Sequence, residues 1–183
     1  MKEDKNQYKK KGYLVKSNFF NKNFLKSYKK ELYQNLNNFL SIKRKINDNN
    51  FDSLLKNLYL KNKKKFISFY NLAQNLKCSY DLCCNSKLTK FVSKLLDVNN
   101  SSIVLGDITI RLDNPNGKKG LLDWHQESTF YPELKNYKKS ILVWFPLTKI
   151  KTNSGGLVLL ENSHKKKLNY KKLSLNKYPT YPE

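Results

Sequence analysis

His125 and Glu127 stand two residues apart in the stretch DWHQE at residues 123–127, and His164 is the only other histidine of the chain. On an extended segment, residues i and i+2 project to one face and i+1 to the other. An imidazole and a carboxylate so spaced can grip a single ion, with Gln126 pointing the opposite way. Joined by a histidine from elsewhere, such a pair makes the facial triad that holds non-haem iron(II) and leaves positions open for other ligands. The triplet alone is a weak signal, because a polar pair on a solvated strand face is spelled the same way. Flanking Trp124 and Phe130 disfavour that solvated alternative.

The elements that must carry such a site change character along the chain. After a basic leader, residues 12–20 (GYLVKSNFF) form a short apolar, strand-like stretch. Residues 21–40 then place Phe24, Tyr28, Leu32, Leu36 and Phe39 at helical spacing, which predicts an amphipathic helix with one buried face. Further helices are expected over 51–60, over 64–76 with Phe66, Phe69, Tyr70 and Ala73 inward, and over 87–98 with Phe91, Val92, Leu95 and Leu96 inward. From about residue 99 the texture becomes β-rich: 103–112 (IVLGDITIRL), 121–126, 140–150 (SILVWFPLTKI) and 155–161 (GGLVLLE) alternate with turn-forming clusters at 113–117 and 153–156. Helices first and sheet second is an α+β order. The 183 residues are expected to form a single domain, with 1–98 a mainly helical flank and 99–183 the sheet part.

The net charge of +22 comes from 36 basic against 14 acidic residues, and so much positive field would favour phosphate backbones or other polyanions. Almost all of it is lysine spread along the chain beside many asparagines, with Arg44 and Arg111 the only arginines, which reads as a solvated surface. No RNA-binding motif accompanies the twelve tyrosines, so nucleic acid is not the expected partner. Cys78, Cys83 and Cys84 lack metal-ligand spacing and read as reduced, partly buried thiols. Residues 1–15 contain no signal-like apolar stretch, and no later run approaches the roughly 18 apolar residues of a membrane span, so a soluble cytoplasmic protein is expected.

Taken in order, GYLVKSNFF with the helix after it, RLDNPNGKKGLLDWHQESTFYPE, SILVWFPLTKI and NSGGLVLLENSHKK resemble the phytanoyl-CoA dioxygenase family of iron(II)- and 2-oxoglutarate-dependent oxygenases. The resemblance runs over residues 12–167. Its most specific parts are W-H-Q-E, the W-x-P-L of residues 144–147, and the strand 155–164 that ends in a Ser-His turn. It implies a double-stranded β-helix, the cupin-like jelly roll, with N-terminal flanking helices packed outside and the metal in the barrel mouth. It further implies Fe(II) as cofactor, 2-oxoglutarate as cosubstrate, and hydroxylation of a small organic molecule or acyl group. His125 then matches the family's first metal ligand and Glu127 its carboxylate ligand, normally an aspartate one methylene shorter.

Beside these stand three candidates for binding the cosubstrate: Arg111, whose planar fork suits a carboxylate, Gln126, which either contributes there or points away and holds a neighbouring loop, and Trp144, which either lines the cosubstrate pocket or belongs to the core. A surface salt bridge accounts equally well for Arg111. His164 matches a turn histidine rather than the family's distal ligand, so a turn or packing role is expected for it. No distal metal histidine, and no arginine following one, has a counterpart here, because neither residue type occurs after His164. The barrel is therefore expected to be incomplete at its C-terminal side, with an open edge covered by association or rearrangement. Three alternatives stay open: a truncated, catalytically inactive remnant of such an enzyme, a basic polyanion-binding protein, and a cupin-like zinc or manganese site.

Overall fold

A computed structural model describes residues 1–42, 45–112, 125–126, 139–150 and 156–166 of the chain. Six α-helices lie among them: α1 (Lys2–Lys11), α2 (Lys22–Leu40), α3 (Phe51–Lys61), α4 (Lys63–Gln74), α5 (Lys77–Cys83) and α6 (Ser86–Leu96). The apolar periodicity explains four of them directly. α2 buries Tyr28, Leu32, Tyr33 and Leu36, α3 buries Phe51, Leu55 and Leu58, and α4 buries Phe66, Phe69, Tyr70 and Ala73. On α6 the buried apolar residues are Leu88, Val92 and Leu95. Spacings of three and four residues put each set on one face, and α2, α3 and α4 bring theirs together in a single core with Phe69 and Leu36 fully enclosed.

Asparagines start several of these helices. The side chain of Asn21 accepts from the Asn23 N–H at 2.8 Å, that of Asn62 from the Lys65 N–H at 2.9 Å, and that of Asn85 from the Lys87 N–H at 3.0 Å. Each satisfies a donor that the first helical turn leaves without an intrahelical acceptor. α5 is capped from a distance: Glu31, on α2, accepts from the Cys78 N–H at 3.1 Å.

Burial, and then the nearby Glu31 carboxylate, push the Cys78 thiol up to about 12, whereas Cys84 is exposed. All three cysteines are free thiols, in line with the reading of reduced residues. Since the thiolate is the reactive form, an alkylating reagent at pH 8 is expected to modify Cys84 in the native protein and to reach Cys78 only after unfolding. Equal labelling rates at the two positions in native protein would contradict this packing.

In the second half, no strand ladder occurs among the described residues, so the expected sheet is not part of the described structure. Residues 12–20 form an irregular connection with a turn at Ser17 and Asn18. Their aromatic rings pack on helices instead of pairing with a strand: Phe19 meets Phe91 of α6 edge-on, and Phe20 stacks on Phe24 of α2. Segment 103–112 is held by side chains. Ile110 and Leu112 are buried in the helical core, and the carboxamide of Gln74 both donates to the Ile110 carbonyl at 3.0 Å and accepts from its N–H at 2.8 Å. The two bonds reproduce what a neighbouring strand would supply at that residue. In segment 139–150, Phe145 and Leu147 pack against the same core, while Leu142 is exposed. Residues 113–124, with the turn cluster at 113–117, and residues 153–155 of the second cluster lie outside the described residues.

Candidate functional site

His125 and Gln126 are half-buried. Glu127 lies outside the described residues, so the shared face expected of the His-x-Glu pair is not part of the described structure. Arg111 sits between the buried Ile110 and Leu112 with its own side chain exposed, as alternation along an extended segment requires. Trp144 is 40% exposed, which rules out the core of its two expected places: its neighbour Phe145 packs there and leaves the indole on the outer face. In an extended segment a choice of face for one residue fixes the opposite face for the next.

The carboxamide of Gln126 donates to two backbone carbonyls, Ser163 O at 2.9 Å and Lys166 O at 2.8 Å. It thereby grips the 3-10 turn Ser163–Lys165, which is the neighbouring-loop contact the sequence suggested for this residue.

His164 lies in that turn and faces the end of α1. Its Nε2 is 3.1 Å from the Lys9 carbonyl oxygen; a carbonyl only accepts, so Nε2 carries the proton. The other ring nitrogen looks onto Gly12, where a Cβ would stand 2.2 Å from Nδ1. Gly12 has φ +86°, and the glycine serves both the left-handed backbone and the close approach of the ring. With one nitrogen on a carbonyl and the other against the backbone, His164 has no nitrogen to offer a metal while this contact is closed. Among the described residues, no group of three or more His, Cys, Asp or Glu side chains could hold an ion.

A cleft of about 740 Å³ lies elsewhere, between α2 and residues 45–49. Lys26, Lys29, Lys30 and Lys45 line it together with Tyr33 and Asp48. An anion is already built in: Lys29 pairs with Asp48, and the Tyr33 hydroxyl donates to it at 2.6 Å, which holds the carboxyl below the usual carboxylate range. Neither this cleft nor a second of about 510 Å³ around Gln74 and residues 106–109 is lined by His125, Gln126, Arg111, Trp144 or His164.

The phytanoyl-CoA dioxygenase family model matches residues 8–183. The chain belongs to the phytanoyl-CoA dioxygenase family. Neither a curated protein nor a solved structure gives a match. Members of this family generally use iron(II) and 2-oxoglutarate and act on small molecules. No helix among the described residues is long and apolar enough to cross a membrane.

The iron and 2-oxoglutarate that the family implies can be weighed against the side chains present. His125 and Glu127 have the chemistry of two facial-triad donors, an imidazole and a carboxylate. Glu127 lies outside the described residues, no group of three or more such donors occurs among the described ones, and His164 is engaged with α1.

Proposed function

We propose that this chain is an iron(II)- and 2-oxoglutarate-dependent dioxygenase that hydroxylates a small organic molecule or acyl group, built on the family's jelly roll with the helical layer as its outer flank. The observation that carries the reading is the family match over residues 8–183, which spans the W-H-Q-E motif. His125 and Glu127 are assigned as metal ligands. When bound, iron(II) with 2-oxoglutarate supplies oxygen activation coupled to loss of carbon dioxide and formation of succinate.

The protein's own share is positional. Arg111, exposed and carrying a planar fork of donors, is assigned to a carboxylate of the cosubstrate. Trp144 presents its indole outward and is assigned to the wall against which cosubstrate lies. Gln126 fixes the segment that carries both ligands by its two bonds to the turn.

A second reading, a family member that holds iron poorly and turns over little, is favoured by the engagement of His164 on the Lys9 carbonyl and by the lack of a three-donor group among the described residues. Succinate formation separates the two. Purified protein supplied with iron(II), ascorbate, oxygen and 2-oxoglutarate is expected to release succinate above a no-enzyme control, dependent on iron. Release equal to that control from folded protein would favour the second reading.

A further inference from the structure

Helix α1 has no buried residues, yet its C-terminal end is closely engaged by residues far along the chain. The last turn of any helix leaves carbonyls without intrahelical donors. In α1, the Tyr8 carbonyl is satisfied by the Gly12 N–H at 2.8 Å, the Lys9 carbonyl by His164 Nε2, and the Lys11 carbonyl by the Asn162 N–H at 2.9 Å. Glu161 adds its carboxylate, accepting from Lys11 Nζ at 2.8 Å and from the Tyr13 hydroxyl at 2.9 Å. The first of these contacts, and then the second, hold the Glu161 carboxyl below the usual carboxylate range. The clasp is therefore fully charged at neutral pH, and this contribution fades as pH falls through the carboxylate range.

The same turn is used from its other side. Its donors, the Asn162 N–H and the His164 ring, go to α1, while two of its carbonyls, Ser163 O and Lys166 O, go to Gln126. α1 is itself tied to the helical layer, because Lys5 pairs at 2.8 Å with Asp97, the residue that ends α6. The carbonyl of Asp97 also accepts from Lys139 at 2.9 Å. A continuous set of polar contacts thus runs from α6 through α1 and the turn to Gln126, whose peptide neighbour is His125.

The geometry points to a positioning role: α1, residues 161–166 and Gln126 form one clasp that sets the placement of His125, with His164 acting as a cap on α1. The value of that placement for iron rests on the ligand role proposed above for His125. The clasp itself does not, so the two can fail separately. Contacts of this kind behind a ligand typically change metal affinity by about 10–100-fold when removed.

Because the chain has two histidines, ring signals of protein labelled with 15N-histidine can be assigned with a single His164→Ala variant. The test compares metal-free wild type with Gly12→Val, which places side-chain atoms where the His164 ring now lies. Glu161→Gln is the milder second variant, in case the first does not fold. Lys77→Ala, which breaks the exposed Lys77–Asp81 pair on α5, is the control.

Both clasp variants are expected to move the His164 ring signals and, through Gln126, to shift or broaden those of His125. The control should leave both sets in place. Movement of His164 with His125 unchanged would overturn the inference, and so would two clasp variants in which neither ring responds. Iron(II) titration of the same proteins is expected to show about tenfold weaker binding in Gly12→Val. A wild type that binds no iron, together with coupled ring shifts in the clasp variants, would sink the ligand assignment and leave the clasp standing.

Discussion

Replacing His125 with alanine is expected to weaken iron(II) binding by more than about 100-fold, since losing a group that merely supports a ligand already costs about 10–100-fold. Succinate formation should fall by at least the same factor. Glu127→Ala should act similarly, whereas Glu127→Asp, which restores the carboxylate length usual in the family, should keep most of the affinity. His164→Ala is the informative contrast. Its ring caps α1 through the Lys9 carbonyl, so its loss should reduce affinity only through the clasp, by about tenfold. Equilibrium dialysis with iron(II) under anaerobic conditions measures all four proteins. A His164→Ala variant as impaired as His125→Ala would mean that the turn opens and His164 joins the metal, contrary to the assignment made here.

The second large effect is expected in the core. Phe69 is fully buried on α4, with its ring 5.5 Å from that of Phe39 on α2. Leu32, Leu36 and Ala73 belong to the same buried cluster. Removing a buried phenyl ring loses its transfer free energy and leaves a cavity that close-packed neighbours refill only in part, and Phe→Ala changes of this kind cost about 3–5 kcal/mol. For a domain of this size, that corresponds to a fall in Tm of about 10 °C. Urea unfolding of Phe69→Ala followed by circular dichroism should show the transition at much lower denaturant. Leu60→Ala serves as the comparison, because Leu60 is 65% exposed on α3 and its loss should move the midpoint little. A Phe69→Ala midpoint near that of wild type would show that the helices do not pack around this ring.

What the sequence made legible follows from what is local in it. The helices α2, α3, α4 and α6 carry their buried residues at spacings of three and four, and the expected ranges match the structure closely. α1 escaped because it buries nothing and so has no apolar period. Its signals are electrostatic, with Glu3 and Asp4 in the first turn, Lys9, Lys10 and Lys11 in the last, and Gly12 closing it. α5 escaped because it has only seven residues and takes its cap from Glu31, 47 positions earlier.

The apolar runs of the second half were visible, but a ladder depends on partners distant in sequence, and spacing cannot supply them. At Ile110 the side chain of Gln74 meets the backbone instead. Trp144 shows the same limit on a small scale. An apolar segment announces two faces, and only the tertiary packing of Phe145 and Leu147 decides which face goes in. At the candidate site, the W-H-Q-E motif is a local pattern of an imidazole and a carboxylate, and Glu127 lies outside the described residues. The loop-holding contact of Gln126 was anticipated. The docking of the turn onto α1 was not, since it joins residues about 150 positions apart through main-chain carbonyls that leave no mark in the sequence.

Charge bears on the proposed chemistry as well. The lysine-lined cleft beside α2 holds its own carboxylate in Asp48, so the +22 charge does not by itself make that cleft an anion site. Any binding of polyanions to the exposed lysines is expected to weaken steeply with salt, as contacts screened by mobile ions do.

Ligation of iron(II) by His125 and Glu127 is the part of the proposal on which the rest depends. Anaerobic titration of the protein with iron(II) and 2-oxoglutarate, followed by visible absorption, tests it most directly. A charge-transfer band is expected that saturates with iron in the wild type and is lost in His125→Ala. A folded wild type that develops no band, or a band that persists unchanged in His125→Ala, would contradict it.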